Sequence, residues 1–208
     1  EFVGTEFILY GCSLTDIESA KKHFLIYQQL DLLDTTHLGQ IYDPRGQTPE
    51  IYINGVKVAS EENFLFTYNI TSINTPIRRA LNRERSNVGR SAYADRIKSI
   101  LLQTTSEEVI EKLTENVGTY SQGSQRDELK WSEISAFAVK KLNEKKEVLF
   151  VTPRQMENLS GDMRDIIEQT GKQIVFIPEN VHEKVSQFTD DSETPVVTIQ
   201  TVLEEYRN

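Results

Sequence analysis

Cys12 is the single cysteine among 208 residues, so no internal disulfide can staple the fold, and three scattered histidines offer no Cys/His spacing for a zinc site. A reducing, cytoplasmic setting is expected. Long apolar runs are also lacking. Nothing approaches the ~20 residues that span a bilayer, and the N-terminus has no basic, apolar and small-residue order of a signal peptide. Membrane insertion and secretion are disfavoured. With 10 glycines, 6 prolines and no internal repeat, the chain is neither fibrous nor disordered. What remains is an ordinary globular balance, 38% hydrophobic and 26% charged, long enough for one large domain or two small ones.

The net charge of -9 argues against a surface that grips nucleic acid as a whole. Between Arg78 and Lys98, however, seven basic residues face two acidic ones, a local +5 that leaves -14 for the rest. The chain also begins without an initiator Met, and Thr5 to Tyr10 reads as a strand starting almost at once. Both features suggest a fragment of a longer polypeptide.

Ser13 to Asp16 offers N-caps for a helix over 17–33, with Ile17, Ala20, Phe24, Tyr27 and Leu30 on one apolar face. Residues 39–49 are turn-rich, and 50–58 alternates around Asn54-Gly55, a hairpin signal. Residues 63–73 should be a long, largely buried strand. An arginine loop follows, then a helix over 91–102 capped by Ser91. Residues 103–106 look like a domain boundary. Beyond it come a short helix at 107–115, a mobile polar loop at 118–125 and a helix at 130–142. Strands at 148–152, 173–178 and 195–199 then alternate with helices at 162–169 and 182–188, the pattern of a small parallel sheet covered on both faces. The expected class is α/β: a unit over 1–103, then a small Rossmann-like unit over 104–208.

The segment from Asn82 to Ser91 places Arg83, Arg85 and Arg90 among Asn87, Gly89 and Ser91, ahead of a helix start. Backbone N–H groups, a helix dipole and forked guanidinium donors converge there, as at phosphate sites. Arg78 and Arg79 are further candidates. The bland alternative is a set of solvated charges.

The order of Gly4-Thr5 strand, helix, Ile51 to Val56 hairpin, long strand and arginine loop before a helix resembles the transducer region of the GHKL ATPases, the superfamily of gyrase B, MutL and the histidine kinases. The likeness covers about residues 1–102. It implies that Arg83, Arg85 or Arg90 reaches the γ-phosphate of ATP held by an upstream domain of the same polypeptide. Gyrase and MutL use lysine there, whereas this chain has only arginine between Ile73 and Asp95. A planar fork is competent for the same task. The Asp-x-Gly-x-Gly segment that reads adenine in that family is absent, so this chain alone should bind no cofactor. ATP and Mg2+ belong to the full-length parent, and a second copy of the chain is a further candidate partner.

Two alternatives stand beside that reading: a module contacting nucleic-acid phosphates, and a non-catalytic interaction scaffold. His23, His37 and His182 have no nucleophile at a telling spacing. Glu157, Asp162, Asp165 and Glu179 gather near the carboxyl ends of the small sheet without an Asp-x-Asp metal pairing. Phe64, Phe66 and Tyr68 share one strand face, which reads as core.

Overall fold

The computed structural model describes residues 4–83, 88–145, 147–186, 189 and 193–207. Ser13 and Asp16 form a reciprocal capping box that starts α1 (Leu14–Lys21). The expected 17–33 helix stops there. The next residues spend their backbone groups on a hairpin tip: Leu25 N–H donates to the Gly55 carbonyl (2.9 Å) and the His23 carbonyl accepts from Lys57 N–H (2.9 Å). Tertiary hydrogen bonds override the apolar periodicity. After a 3-10 turn at Leu25–Tyr27 the chain enters β1 (Asp31–Thr35) and β2 (Gly39–Asp43), strands that lie where a helix end and a turn-rich stretch were expected.

The hairpin of β3 (Glu50–Ile53) and β4 (Val56–Ser60) forms as its turn dictates, with Asn54 and Gly55 both at positive φ (48° and 80°). The last strand of this sheet, β5 (Thr67–Ile70), is shorter than the expected 63–73. The N–H groups of Leu65 and Phe66 donate to the Glu128 carboxylate instead of a neighbouring strand. The sheet order is β1-β2-β5-β3-β4, antiparallel except for β3 and β5. Residues 4–12 pair with no strand among the described residues, so Thr5 to Tyr10 is not a strand here, and Phe7, Ile8, Leu9 and Tyr10 are exposed. A strand needs a neighbour to satisfy its backbone.

Part of the expected arginine loop is helix α2 (Thr75–Arg83). Asn74 Oδ1 accepts from Ile77 N–H (3.1 Å) and Pro76 sits in the first turn, a start signal the sequence does carry. Next comes α3 (Arg90–Leu102), capped by the backbone of Gly89, not by Ser91. Three α-helices and a 3-10 turn follow the connection at 103–106: α4 (Glu107–Val117), the 3-10 turn at Gly118–Gln122 inside the stretch expected as a loop, α5 (Asp127–Lys130) and α6 (Ser132–Lys145). The small sheet pairs β6 (Val148–Val151) in parallel with β7 (Gln173–Phe176), between which lie α7 (Pro153–Glu157) and α8 (Gly161–Gln169). Beyond β7 are α9 (Glu179–Val185) and α10 (Ile199–Arg207). The expected third strand reduces to a parallel bridge between Phe150 and Thr198.

The fold is α/β. One cluster of buried side chains runs from Leu38 to Val196 and joins the five-stranded sheet to α3, α4, α6, α9 and one face of β6 and β7. A second holds Leu149 and Val151 against α8 and α10. Gly39 sits where this packing is tightest: a Cβ there would lie 2.5 Å from the Asn69 carbonyl oxygen and 2.7 Å from Ile100 Cδ1. Among the described residues no helix is long and apolar enough to cross a membrane.

Candidate functional site: the arginine helix and its anchor

Helix α2 turns Ile77 into the core, with Ala80 and Leu81 partly packed, and leaves Arg78, Arg79, Asn82 and Arg83 exposed. Arg79 and Arg83 are four residues apart and so adjoin on the helix surface. Among the described residues none of these three guanidinium groups has a carboxylate within ion-pair distance. Like charges held side by side repel, and an anion between them relieves the repulsion. Arg85 and Asn87 lie outside the described residues. The chain is described again at Val88, which is buried and donates its N–H to the Val58 carbonyl (3.1 Å), docking the entry to α3 on β4. Gly89 and Ser91 are exposed, and among the described residues no side chain caps the first N–H groups of α3.

Arg90 is used differently from Arg79 and Arg83. Its Nε donates to Glu61 Oε1 at 2.8 Å, Nη2 donates to Glu61 Oε2, and Nη1 donates to Asp127 Oδ2 at 2.8 Å. The guanidinium also lies over the Phe64 ring, 5.1 Å from its centroid. Hydrogen bonding to Glu61 raises its pKa further above the ordinary arginine value. Tyr93 donates its hydroxyl to the same Glu61 oxygen, and burial pushes that phenol upward. A fork engaged by two carboxylates is an anchor, holding the start of α3 to α5 and to the turn before β5.

The residues that make this anchor, Glu61, Asp127 and Tyr93, were not singled out from the sequence. Burial opposes ionisation of Asp127, but hydrogen bonds from Lys130, Asn63 and Arg90 hold its carboxyl below the usual value. Beside it, Glu128 is fully buried. Its Oε1 accepts from Leu65 N–H (2.8 Å), Phe66 N–H (3.3 Å) and the Tyr68 hydroxyl (3.1 Å), while Oε2 has no partner among the described residues. Burial pushes this carboxyl up to about 7. No residue near it in sequence announces that role.

Phe64, Phe66 and Tyr68 are buried core aromatics, packed edge-to-face with one another and with Trp131. His23 and His37 are exposed. Among the described residues no group of three or more His, Cys, Asp or Glu could hold a metal ion.

Residues 15–107 match the family described as the Mycoplasma pneumoniae MPN635 N-terminal domain. The matched span encloses the five-stranded sheet, α2 and α3. Two uncharacterised proteins of Mycoplasma pneumoniae (strain ATCC 29342 / M129 / Subtype 1) are similar to the chain. One is 31% identical over 155 residues, covering 72% of this chain and 42% of the relative. The other is 37% identical over 99 residues, covering 47% of this chain and 40% of the relative. The chain thus spans about two fifths of the length of these relatives.

Proposed function

We propose that the chain is the coupling module of a cytoplasmic GHKL-type ATP-binding protein, with Arg83 and Arg85 contacting the γ-phosphate of ATP held by a preceding domain. The observation that carries this reading is the exposed face of α2. Three guanidinium groups without carboxylate partners among the described residues lead into the 84–87 segment, ahead of a helix start that no described side chain caps. Arg90 is the positioning residue in this reading, because Glu61 and Asp127 already engage its fork. The exposed apolar run Phe7 to Tyr10 supports the same picture, since a sheet of the preceding domain would cover it. ATP and Mg2+ would be held by that domain, which would supply the adenine-reading and metal-holding groups. This chain would supply positive charge that stabilises the phosphoryl oxygens as the bond to the leaving group breaks.

The test is ATP turnover in the parent polypeptide carrying Arg83→Ala or Arg85→Ala. At least one variant should lose about 100-fold in turnover, about 3 kcal/mol of transition-state stabilisation, with a much smaller change in ATP affinity. Normal turnover in both, with the fold intact, overturns the reading. Binding of the chain to oligonucleotides that falls steeply with salt would then favour the nucleic-acid-phosphate alternative.

A further inference from the structure

A crevice lies at the carboxyl end of the small parallel sheet, and no residue of the arginine helix lines it. The side chains of this sheet alternate between two covered faces: Leu149 and Val151 pack with α8 and α10, while Val148 and Phe150 pack with α6 and α9. Strand β6 is the middle element, hydrogen-bonded to β7 on one side and bridged to Thr198 on the other. The chain leaves β6 toward the α8 face and leaves β7 toward the α9 face. Connections that part to opposite faces at the carboxyl ends of adjacent parallel strands open a crevice between them, and α/β proteins bind ligands at such switch points.

A crevice of about 400 Å³ lies there, lined by Arg154, Gln155, Asn158 and Leu159 from the segment after β6, Glu179 after β7, and Ile199 at the start of α10. That is the size of a small-molecule site. Of the four acidic residues placed near this end by the sequence, only Glu179 lines it. Gln155 is a fixed wall, because its Oε1 accepts from Thr152 N–H (2.9 Å) and its Nε2 faces His182 Nε2 (3.2 Å). Arg154 and Glu179 differ from it. They bring opposite charges to one crevice from different connections, yet among the described residues neither forms an ion pair. Leu159 and Ile199 add apolar surface from the second core cluster.

From this arrangement we propose that the crevice binds a small apolar α-amino acid as its zwitterion. The Arg154 fork takes the carboxylate, Glu179 takes the ammonium group, and the aliphatic side chain lies on Leu159 and Ile199. A carboxylate alone or an amine alone satisfies one charge and leaves the other exposed to water.

The test is an NMR titration of the chain with three isosteric probes: L-leucine, 4-methylpentanoate, which lacks the ammonium group, and 3-methylbutylamine, which lacks the carboxylate. Leucine should shift the amides of residues 154–159 and 179 saturably, and each single-charge probe should bind about tenfold more weakly or worse. Arg154→Gln should weaken leucine about tenfold and leave 3-methylbutylamine unchanged; Glu179→Gln should weaken leucine and leave 4-methylpentanoate unchanged. Both side chains are exposed, so both variants fold. Lack of saturable shifts at these residues, equal affinity for the three probes, or indifference of leucine to both substitutions overturns the proposal.

Discussion

Replacing Glu128 with glutamine isolates one buried carboxyl and gives a signed pH dependence. The fold raises this group from the ordinary 4.5 to about 7 by burying it, despite three hydrogen bonds to Oε1 that act in the opposite direction. Because the folded value exceeds the unfolded one, the native chain holds a proton that the unfolded chain has released between those two pH values. Stability from this site is therefore full below pH 4.5 and declines as pH rises through about 7. Each pH unit over which only the fold holds the proton is worth about 1.4 kcal/mol, so the decline totals about 3 kcal/mol. Glutamine keeps an acceptor for Leu65, Phe66 and Tyr68 but places an unpartnered amide where Oε2 was. That costs about 1 kcal/mol at every pH. The readout is accordingly the slope, not the absolute stability. Urea unfolding of both proteins from pH 5 to 8.5 should show Glu128→Gln gaining on the wild type as pH rises, then levelling off. His182 acts with the opposite sign, since burial lowers its pKa below the ordinary imidazole value and its contribution is lost as pH falls. It is present in both proteins and cancels in the difference. Parallel stability curves across this range would refute the assignment of a protonated Glu128 at neutral pH.

Arg90→Ala should destabilise the chain by about 2 kcal/mol in urea unfolding. That is less than for a fully buried pair because the Arg90 side chain is 46% exposed, but substantial because Glu61 and Asp127 would lose a partner at 7% and 12% exposure. Arg90→Lys should recover only part of the loss, having charge without the fork; a change within about 0.5 kcal/mol for alanine would show that the anchor contributes nothing measurable. Gly39→Ala should cost about 2 to 3 kcal/mol by thermal or urea unfolding, since the added methyl meets backbone at 2.5 Å and that oxygen belongs to a paired strand. A neutral Gly39→Ala would mean that the β2 and β5 pairing relaxes more easily than its packing implies.

Features that depend on a few consecutive residues were legible. Asn54-Gly55 selects its turn because both residues tolerate positive φ, and the Ser13 and Asp16 side chains cap a helix whatever surrounds them. The parallel pairing announced itself in the short apolar strands expected at 148–152 and 173–178. Helix α2 was equally local, signalled by Asn74 and Pro76, but its arginines drew the reading toward a loop. The helix expected over 17–33 failed for a different reason. Its periodicity was genuine, yet the backbone beyond Lys21 gains partners on the hairpin tip that no helix would supply.

The sequence by itself determined the Asn54-Gly55 turn, the Ser13 cap, the apolar runs and the concentration of positive charge from Arg78 to Lys98, because φ/ψ preference, local capping and net charge are properties of neighbouring residues. Only the tertiary structure decided which cations are engaged. Arg90 meets Glu61 and Asp127 across 29 and 37 residues, whereas Arg79 and Arg83, a few positions away, meet no carboxylate among the described residues. With 32 acidic residues in the chain, composition offers each arginine many partners. Charge-assisted hydrogen bonds reach only about 3 Å, and which carboxylate comes within that reach is set by how the sheet and helices close on one core.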